Sequence, residues 1–246
     1  MRSASELDGL SVVLVSTRNP LNIGAVARAM SNFGFSSLRL VNPFEPSFRE
    51  ARSAVGAAEL LASAQEYKSV PDAVADCSLV VGTTALRNRE QRHPVHQLES
   101  ASSLIRGHLK SARVALLFGS EKVGLSNDDL SHCQWLLHIP TQEAHVSMNL
   151  GQAVAVCLYE MVRSPDAETL VSSSTAHEHA AAPAGDLDRL TALWMETLQA
   201  SGYIKPGTEA ASEQNLRRML RRLNVPAEDA QVWLGMMRQV LWKLKH

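Results

Sequence analysis

Cysteine is scarce in this chain: Cys77, Cys133 and Cys157 stand far apart, with no C-x-x-C pair among them. So small a set gives neither a disulfide framework nor a four-cysteine zinc site. Each lies in or beside an apolar run, so buried free thiols in a reducing compartment are expected. No apolar run approaches the roughly 18 residues of a membrane span, and the opening MRSASELDGL lacks the apolar core of a signal peptide. A soluble, cytoplasmic protein with no membrane partner is the expectation. The phosphate- and dinucleotide-cradling glycine patterns are also missing: no G-x-G-x-x-G follows a strand-like run, and no G-x-x-x-x-G-K-[ST] occurs. Nor is there a G-x-S-x-G nucleophile elbow. His93 and His96 are spaced i, i+3 but have no nearby acid or cysteine to complete a tetrahedral set, so no metal is expected.

What is present is an ordinary apolar fraction of 45% and a net charge of −1 over 246 residues. That length suits one large domain, or a domain with an appendage. Charge is unevenly placed. Residues 1–164 hold 15 Lys+Arg against 15 Asp+Glu, whereas residues 205–246 hold eight against four. The local excess is compatible with an anionic partner.

Short apolar runs alternate with helix-like stretches. SVVLVS (11–16), SSLRLVNP, CSLVVGTTA (77–85), RVALLFG and WLLHIP read as strands buried on both faces. Asn22 is placed to cap a first helix and Gly34 to end it. Two short helical pieces fit between Phe48 and Tyr67, and DAVADC a third. Further helices are expected at 97–109, after a cap at Ser126 or Asn127, and from Asn149 to Arg163. This order predicts an α/β fold with a mostly parallel sheet over 1–164. Residues 165–185 turn to Ser, Ala, Thr and Pro without Lys or Arg, and read as a flexible linker. Three helical patterns follow in 186–246, a bundle small enough to need another surface to lean on.

The stretch 140–152, PTQEAHVSMNLGQ, feeds exposed small polar groups into a helix start, which suits a polar small molecule. Glycines at the ends of separate strands, Gly82, Gly119 and Gly151, have two readings: isolated tight turns, or convergence of loops on one ligand beyond the carboxyl ends of a parallel sheet.

Three stretches in order carry a resemblance. Asn22-Ile23-Gly24-Ala25 with Ala27-Arg28-Ala29-Met30 comes first. Phe118-Gly119-Ser120-Glu121 with Val123-Gly124-Leu125 comes second, and Ser147-Met148-Asn149-Leu150 third. Together they resemble the motifs of the SpoU/TrmH branch of the SPOUT methyltransferases, over residues 10 to about 163. The resemblance implies a C-terminal trefoil knot within the α/β sheet, a helical extension, and a homodimer whose active site is shared between subunits. It implies S-adenosylmethionine as methyl donor, S-adenosylhomocysteine as product, and tRNA as substrate. The reaction implied is methylation of a ribose 2′-hydroxyl in the anticodon loop, at nucleotide 32, on cytidine or uridine. Ribosomal RNA as substrate, an inactive RNA-binding relative, and an unrelated α/β small-molecule binder stay open.

Carried onto this sequence, the cofactor loops are Thr83-Thr84-Ala85-Leu86, Phe118-Gly119-Ser120-Glu121 with Gly124, and Ile139 through Val146-Ser147-Met148. Arg28 matches the family's motif-one arginine. Because a guanidinium stays protonated, its expected role is to hold a phosphate and developing alkoxide charge rather than to act as a base. Asn22, Glu121, Ser147 and Asn149 are the supporting catalytic candidates. Arg87, Arg89 and Arg92 follow the first cofactor loop and are read as phosphate contacts. Arg217, Arg218, Arg221 and Arg222, at i, i+1, i+4, i+5, are read as one basic helix face that meets RNA.

Overall fold

The structure, a computed structural model, describes residues 8–44, 56–85, 92–142, 146–163 and 180–246. Seven strands form one sheet: β1 (Leu10–Val15), β2 (Ser37–Val41), β3 (Gln65–Tyr67), β4 (Leu79–Thr84), β5 (Val95–Gln97), β6 (Val114–Phe118) and β7 (Trp135–His138). Their order is β3-β2-β1-β6-β4-β7-β5, and every pairing is parallel. The continuous apolar runs are explained by burial on both faces. Along β1, Leu10, Val12 and Leu14 enter one core cluster while Val13 and Val15 enter the other. The two edge strands, β3 and β5, are three residues each and half exposed.

One face of the sheet is covered by α1 (Pro20–Phe33), α2 (Ala58–Ser63), α4 (Leu98–Leu109) and α6 (Leu150–Val162). The other carries α3 (Val70–Val74) and α5 (Asn127–Ser131). Helix α1 is capped by Asn19, not by Asn22: the Asn19 side chain accepts from the Leu21 amide, and Pro20 takes the first helical position. Proline there loses no hydrogen bond, since that amide has no partner inside the helix. Gly34 ends α1 at φ 80, as expected. Ser126 caps α5 with a complete capping box, and Asn149 caps α6.

The C-terminal helices are α7 (Ala184–Ala200), α8 (Glu209–Arg222) and α9 (Ala227–Lys245). They close around Leu190, Met195, Leu216, Leu220 and Leu234. The end of the expected linker is tied down rather than free. Ala182 donates its amide to Val225, and Ala227 returns one to Ala180. Ala184 and Gly185 donate to the Cys77 and Ala75 carbonyls in the connection between α3 and β4, at 2.7 and 3.0 Å.

The arginines of α8 do not form the single RNA-facing basic face expected of them. Arg218 and Arg221 are buried, and Arg217 keeps only 11% of its side chain exposed. Arg221 pairs with Asp188 of α7 at 2.8 Å and also donates to the Ala184 carbonyl. Arg217 reaches Glu213, Asp128 and Ser131. Removing one member of such a buried pair leaves the other charge uncompensated, a loss of about 3–5 kcal/mol. These three residues therefore join α8 to its neighbours. Arg222 alone of the four is exposed. No helix among the described residues is long and apolar enough to cross a membrane.

Candidate active site

The loops after β4, β6 and β7 meet the first turns of α1 and α6 around one cavity of about 550 Å³. It lies beyond the carboxyl ends of the central strands, where open parallel sheets hold their ligands. Thr83, Thr84, Ala85, Gly119, Glu121, Gly124, Ile139, Val146, Ser147 and Met148 all line it, with Asn22 and Asn149. Leu86, Arg87 and Arg89 lie outside the described residues.

The second loop is fixed by backbone. Ser120 and Gly124 form an antiparallel bridge, and Gly124 donates its amide back to the Ser120 carbonyl at 2.8 Å. A Cβ on Gly119 would fall 2.0 Å from the Gly124 carbonyl carbon, so no side chain fits there. Gly151 plays a different part from the turn expected of it. It sits in the first turn of α6, where a Cβ would come within 2.6 Å of the Ala25 methyl. Two small residues thus let α6 approach α1, and that approach brings their polar termini together.

The result is a hydrogen-bond relay through all three motifs. The Asn149 side-chain oxygen accepts from the amides of Gly151 and Gln152. Its NH2 group must then face the other way, and it donates to the Asn22 oxygen at 2.8 Å. The Asn22 NH2 group donates in turn to Glu121 at 2.9 Å, and the Asn19 amide adds a bond at 3.3 Å. Each amide has only one orientation that satisfies its neighbours. Burial alone would raise the Glu121 pKa. The bonds from Asn22 and from backbone amides outweigh it and hold the carboxylate below its ordinary value.

Some lining residues are not singled out by the sequence, Lys122, Thr141, Leu137 and Ala153 among them. Lys122 is the one cationic side chain lining the cavity among the described residues. Its place directly after Glu121 in the second motif was the available signal. Thr141 presents a buried hydroxyl with no hydrogen-bond partner among the described residues. Leu137 adds an apolar wall. The Thr83 hydroxyl is already engaged by the Leu117 carbonyl.

Arg28 does not line this cavity. It is exposed on α1, six residues beyond Asn22 and so about 9 Å along the helix axis. Arg92 is exposed and likewise outside the cavity. His93 is buried and pushed down to about 4, first by burial and then by the nearby Arg218 charge. His96 packs edge-on against Trp135.

Residues 9–159 match the SpoU rRNA Methylase family. TrmJ of Pectobacterium atrosepticum, a tRNA (cytidine/uridine-2'-O-)-methyltransferase, is 35% identical over 238 residues, covering 95% of this chain and 97% of its own. The Klebsiella pneumoniae TrmJ is 34% identical with the same coverage. Among solved structures, TrmJ from Z. mobilis ZM4 is 31% identical and superposes with a TM-score of 0.79 over 96% of this chain and 99% of that one. A probable methylase family protein from Haemophilus influenzae gives 0.57 at 27% identity, over 97% and 98%. With the motifs in place around one cavity and the likeness to TrmJ running through α7, α8 and α9, the chain belongs to the SpoU methylase family.

Proposed function

We propose that this protein is a cytoplasmic, S-adenosylmethionine-dependent tRNA 2′-O-methyltransferase acting on cytidine or uridine at position 32 of the anticodon loop. The observation that carries the reading is the relay from Asn149 through Asn22 to Glu121 at the edge of the cavity. Full-length likeness to tRNA-modifying TrmJ proteins favours tRNA over ribosomal RNA.

The cavity suits the donor. Its volume falls within the roughly 300–1,000 Å³ of small-molecule sites. Leu137, Ile139 and Leu150 offer apolar surface for a base, the tight Gly119 turn admits close backbone approach, and the free Thr141 hydroxyl awaits a polar partner. When bound, the cofactor supplies a methyl group on a good leaving group. The chain's own task is to hold a ribose 2′-hydroxyl in line and help it lose a proton.

In this reading Glu121, Asn22, Asn149 and Ser147 orient the ribose, and Lys122 meets a flanking phosphate. Arg28 stabilises charge on the attacking oxygen, while the proton leaves to that phosphate or to water. Arg87, Arg89, Arg92 and Arg222 are the remaining RNA contacts. Since Arg28 lies outside its own chain's cavity, it serves the cavity of a second copy, which makes a homodimer the working unit. A trefoil knot in the third-motif segment, as family membership implies, holds the three loops together.

Transfer of labelled methyl from S-adenosylmethionine to total tRNA and, separately, to ribosomal RNA tests the reading. The expected product carries its label on a ribose 2′-oxygen of the anticodon loop. Label on ribosomal RNA alone overturns the substrate, and no label on either overturns the activity.

A further inference from the structure

Helix α5 follows directly on the cofactor loop: Leu125 ends the loop, Ser126 caps the helix, and Asn127 opens it. Within five residues it is gripped along its length by the C-terminal helices. At its start, Arg218 donates to the Asn127 carbonyl at 3.4 Å and Arg217 to Asp128 at 3.3 Å. At its end, Arg217 donates to the Ser131 hydroxyl at 2.7 Å, and His132 faces Asp188 of α7 at 3.6 Å. Apolar packing repeats the connection, since Leu125 and Leu130 share a core cluster with Ala184, the first residue of α7.

These contacts are unequal. Asp128 is 63% exposed, and pairs in solvent contribute only about 0–1 kcal/mol, so the Arg217–Asp128 pair is the weak part. Ser131 is fully buried and Arg217 nearly so; their bond is sheltered from water and is the strong part.

We infer that Arg217 and Arg218 are positioning residues for the cofactor loop: through α5 they hold residues 119–125 in the shape that lines the cavity. Occupancy of the cavity and order in α8 are then thermodynamically linked, each favouring the other. An RNA that engages the C-terminal helices acts on the same loop. The inference uses the cofactor reading above only for its second readout.

The test is hydrogen exchange by mass spectrometry on the full chain, comparing the unmodified protein with Arg217→Ala. Amides of 119–126 are expected to exchange faster in the variant with no ligand present. S-adenosylhomocysteine should bind the variant weaker by about fivefold or more, with part of the affinity restored in Arg217→Lys. In the unmodified protein the same ligand should slow exchange across 209–222. Lys245→Ala is the control: it breaks an exposed pair with Glu196 in the same helical unit and should leave both Tm and loop exchange near those of the unmodified protein. Unchanged exchange in 119–126, with only Tm lowered, overturns the inference. If Arg217→Ala does not fold, absence of ligand protection in α8 of the unmodified protein does so instead. Failure of the unmodified protein to bind S-adenosylhomocysteine would count against the cofactor reading, while loop exchange would still decide the role of Arg217.

Discussion

Asn149 donates to Asn22 across 2.8 Å, and 127 residues of sequence separate the two. One oxygen of Asn149 holds the start of α6 while its NH2 group holds Asn22. The capping and relay roles are therefore separable by chemistry.

Asn149→Asp tests that separation. Aspartate still accepts from Gly151 and Gln152, so the cap survives, but it has no NH2 group to donate. Stability should fall only by the lost bond to Asn22, about 1–3 kcal/mol, while methyl transfer falls about tenfold or more, as when a preorganised polar contact is lost. Asn149→Ala should lose the cap as well, at about 1 kcal/mol. Equal activity in Asn149→Asp and the unmodified protein would remove the relay from the mechanism.

Arg28→Ala should abolish turnover and leave S-adenosylhomocysteine affinity within a few-fold. If the site is shared, co-refolded Arg28→Ala and Asn149→Asp chains should regain activity, because each mixed dimer restores one intact site. Random pairing gives about a quarter of the unmodified activity. No recovery would return Arg28 to its own chain's chemistry.

Lys122→Ala is read through salt. If Lys122 meets a phosphate of a single-stranded loop, the slope of log K against log salt should become shallower by about 0.7. Cofactor affinity should be unchanged. A loss of cofactor affinity with an unaltered slope would assign Lys122 to the donor instead.

His93 sets a pH dependence. Its folded pKa is about 4, below the value of about 6.5 in an unfolded chain. The unfolded state therefore binds more protons between those values. The stability that neutral His93 allows is fully present above about 6.5 and is lost as pH falls towards 4. Urea unfolding at pH 7 and pH 5 should show this loss, and His93→Gln should flatten it. An equal slope in both proteins would place the sensitivity elsewhere.

The long strands were legible because β1, β4 and β6 are buried on both faces and read as unbroken apolar runs. Strands β3 and β5 were not: three half-exposed residues at a sheet edge, such as Gln65–Tyr67, carry no pattern. Asn19 and Asn22 both precede the apolar residues of α1, and Pro20 was the signal that should have chosen Asn19. The cavity residues were reached through the family resemblance, which rests on three ordered motifs and supplies the loops after β4 and β7 with them. Spacing could not show which way the α8 arginines face, since their partners Asp128 and Asp188 lie far away in sequence. The buried thiols were legible from their apolar neighbours, and burial pushes each up to about 12.

The backbone clasp at the start of α7 has a consequence for how such chains can vary. Ala180 and Ala182 are bonded to the Val225–Ala227 turn, and Ala184 and Gly185 to the connection between α3 and β4. Docking of the helical unit is thus set locally, from residue 180 onward. The clasp therefore places α8 against α5 through contacts made by residues 180–185 themselves. A bulkier residue at Ala184, which is fully buried, would disturb that docking.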